Sequence, residues 1–147
     1  MEITIKAFDD LSLGELYDIL ALRQEIFVVE QDCVYQDADY IDQKSYHVMG
    51  HLQGQLVAYT RIVPSGLSYE DYGSIGRVVV HKDHRGKNYG QGIMARSNSK
   101  AIELIDAPIK ISAQVYALSF YERLGYVAIG REYLEDGIPH KAMILQR

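Results

Sequence analysis

The chain has 147 residues, a length that suits one domain with room for a proper core. Apolar residues make up 48% and charged residues 24%, an ordinary globular balance, and the net charge of −5 argues against broad nucleic-acid binding. No apolar run approaches the roughly 20 residues that span a bilayer, and the single cysteine, Cys33, excludes an internal disulfide or a multi-cysteine zinc site.

Met1 to Lys6 reads as a strand rather than a secretory leader, so a cytoplasmic protein is the simple reading. Residues 2–7 alternate as that first strand. Ser12 and Glu15 have the spacing of a capping box. Leu13, Leu16, Leu20 and Phe27 then recur at helical spacing, with Ile19, Leu22 and Ile26 widening the face, which predicts a helix over 12–30. Residues 32–44 are acidic and irregular. Asp32, Asp37, Asp39 and Asp42 lack the glycine and terminal glutamate of a calcium loop, and form either a solvated loop or a patch that steers a cationic amine.

Strands are predicted at 45–52 and 55–63, joined by Gln53-Gly54 as a hairpin turn. His47 and His51 share a face there with no carboxylate or cysteine at metal spacing, so they read as exposed or packed strand residues and no metal site is expected. Pro64 to Tyr72 is a loop and 74–81 a strand. A helix over about 90–106 is ended by Pro108, and Ile109 to Ala113 forms a short strand. A second helix over about 115–124 stops at Gly125, a natural residue for leaving a helix. Tyr126 to Tyr133 and Ile138 to Leu145 form a last hairpin around Asp136-Gly137. Strands broken by two well-separated helical crossovers indicate an α/β or α+β sheet with helices on its faces.

The segment His84-Arg85-Gly86-Lys87-Asn88-Tyr89-Gly90-Gln91-Gly92 lies at the junction of a Val-rich strand and a helix. Glycines let backbone N–H groups approach a ligand, and a helix N-terminus adds unpaired donors and partial positive charge. Together they make an anion site, most naturally for a pyrophosphate. Lys82, His84, Arg85 and Lys87 supply a local basic patch on an acidic chain. His81 and His84 flank the loop. A P-loop fails because Gly86-Lys87 is followed by Asn88, and a dinucleotide fingerprint fails because the glycines fall at 86, 90 and 92.

Arg85, Asn88 and Gly90 instead resemble motif A of the GNAT-type N-acetyltransferases, with Asn88 standing for a glycine. Asparagine tolerates the left-handed conformation better than most residues. Gln114 to Tyr126, through Ala117, Tyr121 and Gly125, resembles motif B of the same superfamily. The runs Leu22 to Gln31, Cys33 to Asp39 and Glu135 to Met143 are similar to its ElaA-type branch, so the resemblance covers nearly the whole chain.

The resemblance implies a single-domain GNAT fold over 1–147, with a mixed, mostly antiparallel central sheet and helices on both faces. It implies acetyl-CoA as donor and a primary amine of a small molecule or peptide as acceptor, with no membrane partner. Cofactor-binding residues would be Val78, Val79, Val80, Arg85, Gly86, Lys87, Asn88, Tyr89, Gly90, Gln91, Gly92 and Gln114. An N–H near Val79 would polarise the thioester carbonyl. Tyr121 would be the acid toward the leaving thiolate, or else a core tyrosine. His140 would be the base toward the amine, or else a residue that only positions it. A CoA-binding or interaction module without turnover is the alternative, and monomer and homodimer are both compatible with an exposed sheet edge.

Overall fold

The computed structural model describes all 147 residues. Seven strands and three α-helices follow the chain: β1 (Glu2–Ala7), α1 (Leu13–Arg23), β2 (Tyr46–Leu52), β3 (Gln55–Val63), β4 (Ser74–Val80), α2 (Tyr89–Leu104), β5 (Lys110–Gln114), α3 (Leu118–Glu122), β6 (Tyr126–Glu135) and β7 (Ile138–Leu145). The architecture is α/β with antiparallel pairing and helices on both faces, as predicted. The capping box is formed: Glu15 N–H donates to Ser12 Oγ at 3.0 Å, and Ser12 N–H to Glu15 Oε1 at 2.8 Å. Gln53-Gly54 and Asp136-Gly137 all take positive φ, the geometry of tight hairpin turns whose twist matches the strands.

The predicted helix over 12–30 is two things. It is α-helical to Arg23 and then π-helical over Gln24–Glu30. Over so short a stretch the wider π spacing keeps much the same apolar pattern, so periodicity does not separate them. Ile19, Leu22 and Ile26 stay on one buried stripe throughout. The third predicted helix opens as a 3₁₀ turn over Val115–Ala117 before α3 begins.

Alternation along the strands divides the core in two. Val48, Ala58, Ile62 and Ile75 point to the α2 side, where they meet Ile93, Met94 and Ala101, together with Ile111, Tyr126 and Met143 of the later strands. Met49, Tyr59 and Val79 point the other way and meet α1 and its π extension.

The sheet is not continuous. β1-β2-β3-β4 form one antiparallel sheet and β5-β7-β6 a second. They touch through one parallel bridge, Gly73 to Ile109, where Gly73 N–H donates to Pro108 O and Lys110 N–H to Gly73 O, both at 2.9 Å. Gly73 is required by packing at this junction, since a Cβ there would lie 2.7 Å from Ile105 Cδ1 and 3.1 Å from Ile109 Cδ1. Beyond the bridge β4 and β5 diverge. β4 also carries a bulge: Tyr59 faces Val79 but Arg61 faces Gly76, and Arg77 inside the bulge has φ 51°. An extra residue bends a strand and re-aims its side chains, and a non-glycine residue at this φ is strained.

Candidate active site

The divergence of β4 and β5 opens a cleft of about 550 Å³ between the two sheets. Its walls are β4 from Ser74 to Val78 and β5 at Ile111, Ser112 and Gln114. Tyr121 of α3, Glu135, Asp136, Ile138 and His140 of the last hairpin, and Phe27, Cys33 and Tyr35 complete its lining. β4 pairs with β3 and β5 with β7, so the edges that face each other here are left free to bond an extended ligand. A second pocket of about 270 Å³ adjoins it, lined by Val80, His84, Arg85, Gly86, Asn88, Tyr89, Gly90, Gln91, Phe120 and Arg123. Val78 and Tyr121 line the first pocket, Val80 and Phe120 the second, so β4 and α3 run from one into the other.

The smaller pocket is an anion cradle by construction. Gly86 has φ 79° and Asn88 is left-handed at φ 63°, ψ 18°, which turns successive amides inward ahead of α2. Asn88 is the N-cap, but its side chain caps nothing. Gly92 N–H is taken up by Asn88 O at 3.1 Å. The N–H groups of Tyr89, Gly90 and Gln91 have no partner in the fold, so three donors and the positive end of a 16-residue helix face the pocket. The Arg85 guanidinium bonds Glu30 Oε2 at 2.7 Å and Val80 O at 3.1 Å, which ties the loop to the end of the π segment. Such a cradle fits a pyrophosphate group, as in CoA.

The predicted residues therefore divide. Val78, Gln114, Tyr121 and His140 meet in the larger cleft. Val80, Arg85, Gly86, Asn88, Tyr89, Gly90 and Gln91 line the smaller pocket. Lys87 and Gly92 are exposed and line neither, and the Val79 side chain is buried in the α1 cluster.

Tyr121 is half-buried, set edge-on between Phe120 and Tyr126 at centroid distances of 5.0 and 5.8 Å, and no protein group hydrogen-bonds its hydroxyl. Burial, with a small addition from Tyr116, pushes its phenol up to about 12. His140 is 6% exposed and stacks on Tyr133. Its Nδ1 lies 2.7 Å from Ile138 O. A carbonyl only accepts, so Nδ1 carries the proton of the neutral ring and Nε2 presents its lone pair.

The acidic loop differs from both sequence readings. Asp37 and Asp42 are buried, and with Asp39 they lock three arginines that the sequence reading did not single out. Arg23 Nε bonds Asp37 Oδ2 and its Nη1 bonds Asp42 Oδ1, both at 2.7 Å. Arg61 grips Asp39 through two bonds, at 2.8 and 2.9 Å, and Asp42 at 2.8 Å. Arg77, aimed by the β4 bulge, bonds Asp37 Oδ1 at 2.8 Å and Asp39 Oδ2 at 3.3 Å. Burial pushes the Asp39 carboxyl up, but Arg61, the Ile41 N–H and Arg77 outweigh it and hold it at about 2. Only Asp32 is a solvated turn residue, at φ 50°. The three aspartates are thus matched inside the fold and do not steer a cation.

His47 is buried as well. Its Nε2 faces Asp42 O at 2.9 Å and its Nδ1 the Tyr59 hydroxyl at 2.7 Å. His81 lies 3.4 Å from Glu25, and His84 lines the smaller pocket with Nδ1 buried and unbonded.

Residues 22–147 match the acetyltransferase (GNAT) domain family. A UPF0039 protein of Schizosaccharomyces pombe is 41% identical over 149 residues, covering 99% of this chain and 97% of that protein. Protein ElaA of Escherichia coli is 40% identical over 141 residues, 91% of this chain and 89% of ElaA. The crystal structure of ElaA superposes with TM-score 0.91 over 99% of this chain and all of that one, at 35% identity. An acyl-CoA N-acyltransferase from Pseudomonas aeruginosa superposes with TM-score 0.90 at 40% identity, over 99% of this chain and 100% of that one. A split sheet with an anion cradle at the α2 N-terminus, and these relatives over nearly its full length, place the chain in the GNAT acetyltransferase family, on its ElaA-like branch.

Proposed function

We propose that this chain transfers an acetyl group from acetyl-CoA to a primary amine of a small molecule or peptide, by direct attack in a ternary complex. One observation carries the reading: Tyr121 and His140, an unpartnered phenol and an imidazole with a free lone pair, line one cleft that runs into an amide cradle for a pyrophosphate.

When bound, acetyl-CoA supplies an activated thioester carbonyl. The free amides of Tyr89, Gly90 and Gln91 would hold its diphosphate, with Arg85 at the rim. The unpaired edges of β4 at Val78 and of β5 at Gln114 would bond its amide-containing arm. An N–H of β4 near Val79 would bond a developing oxyanion. An alkylamine of pKa about 10.4 is only about 0.04% free base at neutral pH, so a base beside it helps, and His140 Nε2 would accept that proton. Tyr121 would donate a hydrogen bond to the departing sulfur.

The test is acetyl-CoA binding by calorimetry, followed by release of free thiol with a panel of polyamines, amino acids, aminoglycosides and peptides. Saturable binding and amine-dependent thiol release are expected. His140→Ala should keep the binding, lose turnover and abolish the acidic limb of the pH–rate profile. Binding without turnover on any amine would leave a CoA-binding module instead.

A further inference from the structure

We propose that Glu135 selects the acceptor: its carboxylate and His140 Nε2 form a receptor for an unhindered primary alkylammonium, so the preferred acceptor is a cationic alkylamine rather than an uncharged amine. This rests on the amine-acylation reading above. Glu135 Oε2 lies 3.4 Å from His140 Nε2. With Nδ1–H committed to Ile138 O, the neutral ring offers only a lone pair on that side, and a carboxylate offers only lone pairs too. Two acceptors that face each other inside a cleft lack a donor. His140 is 6% exposed, so its Nε2 is shielded from bulk water, while the half-exposed Glu135 carboxylate leaves the pair open to an incoming donor from the cleft. An ammonium carries three N–H donors and can bond both at once.

The surroundings hold this arrangement in place. Ser112 Oγ lies 3.4 Å from Glu135 Oε1 and is itself hydrogen-bonded to the Tyr133 hydroxyl. Tyr133 stacks on the His140 ring, with centroids 6.2 Å apart and 22° between planes. Tyr69 also lines this cleft, and burial raises its phenol, with smaller additions from Tyr133 and Glu135. The charge balance agrees. Arg61 and Arg77 also line the cleft, but Asp37, Asp39 and Asp42 match them. No lysine or arginine pairs with Glu135 or with Asp136 beside it. The unmatched charge of the cleft is negative and sits at the hairpin tip.

The proton step balances. An N–H bond of the ammonium breaks, an Nε2–H bond forms, and the lone pair released on nitrogen is the nucleophile. The positive charge passes from ammonium to imidazolium with the carboxylate beside it in both states. That matters because the transfer runs uphill by about 4 pKa units between a free alkylammonium and a free imidazolium.

Two measurements on the full chain test this. In the first, the His140 imidazole resonances are followed by NMR while 1-aminobutane is added to wild type and Glu135→Gln without CoA. A saturable shift is expected in wild type and its loss in the variant. In the second, steady-state rates are measured at saturating acetyl-CoA with 1-aminobutane and with uncharged hydroxylamine. Glu135→Gln should raise KM for 1-aminobutane roughly tenfold or more, with KM for hydroxylamine within about twofold and acetyl-CoA affinity unchanged. The side chain is half exposed, so the substitution leaves the hairpin folded. No shift in wild type, or equal losses on both amines, overturns the proposal. Binding of 1-aminobutane at this pair without any acyl transfer upholds the receptor and overturns only the transferase reading.

Discussion

Tyr121 is the residue on which the chemistry can be read most directly. A phenol raised to about 12 by burial stays protonated at every working pH. A free thiol ionises near 8.5, so a full proton transfer from this phenol to the departing sulfur is uphill; a hydrogen bond donated to it is not. Tyr121→Phe removes that donor and leaves the ring among Phe120 and Tyr126. Turnover is expected to fall on the order of a hundredfold while acetyl-CoA affinity holds, because the interaction exists only along the reaction path. Turnover within about twofold of wild type would return Tyr121 to a packing role. The wild-type rate should also show no alkaline loss below about pH 10 that disappears in Tyr121→Phe. This position was legible because a tyrosine four residues ahead of a helix-ending glycine belongs to a recognisable pattern. Glu135 was not read as a site residue: it lies in a run that carries the resemblance, but nothing in the spacing alone set its carboxylate against His140 Nε2.

At the scale of elements, the loop between β4 and α2 was readable and the cleft it serves was not. Left-handed backbone at Gly86 and Asn88, followed by glycines at 90 and 92, is a demand made by the backbone, and the backbone's demands appear as residue types. The separation of β4 from β5 leaves no such trace: period two says that each is a strand, not which edge stays empty. The π segment is silent for the same reason. The loop reading has a clean test, since a Cβ on Gly90 would lie at ordinary contact distance, 3.5 Å from Val80 Cγ2 and 3.7 Å from Phe120 Cζ. Gly90→Ala therefore keeps the fold and only fills space at the walls of the anion pocket. CoA affinity measured by calorimetry should fall about tenfold, about 1.4 kcal/mol, with little change in melting temperature. Asn88→Gly, which suits the same left-handed geometry, should leave affinity unchanged. If Gly90→Ala binds CoA like wild type, the free amides of this turn are not the diphosphate site.

Across the whole molecule, the acidic segment after the π helix is an internal strut. It crosses from α1 to β3 and the β4 bulge, and so fixes one wall of the cleft through Arg23, Arg61 and Arg77. None of these pairings has a period, and partners far apart in sequence cannot be matched by spacing alone. The strut predicts how the fold responds to acid. Burial lowers the His47 pKa against the pull of Asp42, so the folded chain holds His47 neutral while the unfolded chain protonates it near 6.5. Its contribution is present above that value and is lost as pH falls through the lowered folded one. Asp39, held at about 2, and Asp42, also lowered because Arg23 and Arg61 outweigh its burial, contribute above the unfolded value near 3.9 and lose it as pH falls below. Urea midpoints should therefore decline in two stages on acidification, one beginning near pH 6.5 and one near pH 4. The first stage belongs to one ring and can be isolated. His47→Gln keeps a donor for Asp42 O and an acceptor for the Tyr59 hydroxyl but cannot titrate. Its midpoint should vary less between pH 7 and pH 5 than that of wild type, while the stage near pH 4 persists. Equal slopes in the two proteins over that interval would show that His47 does not couple the strut to pH.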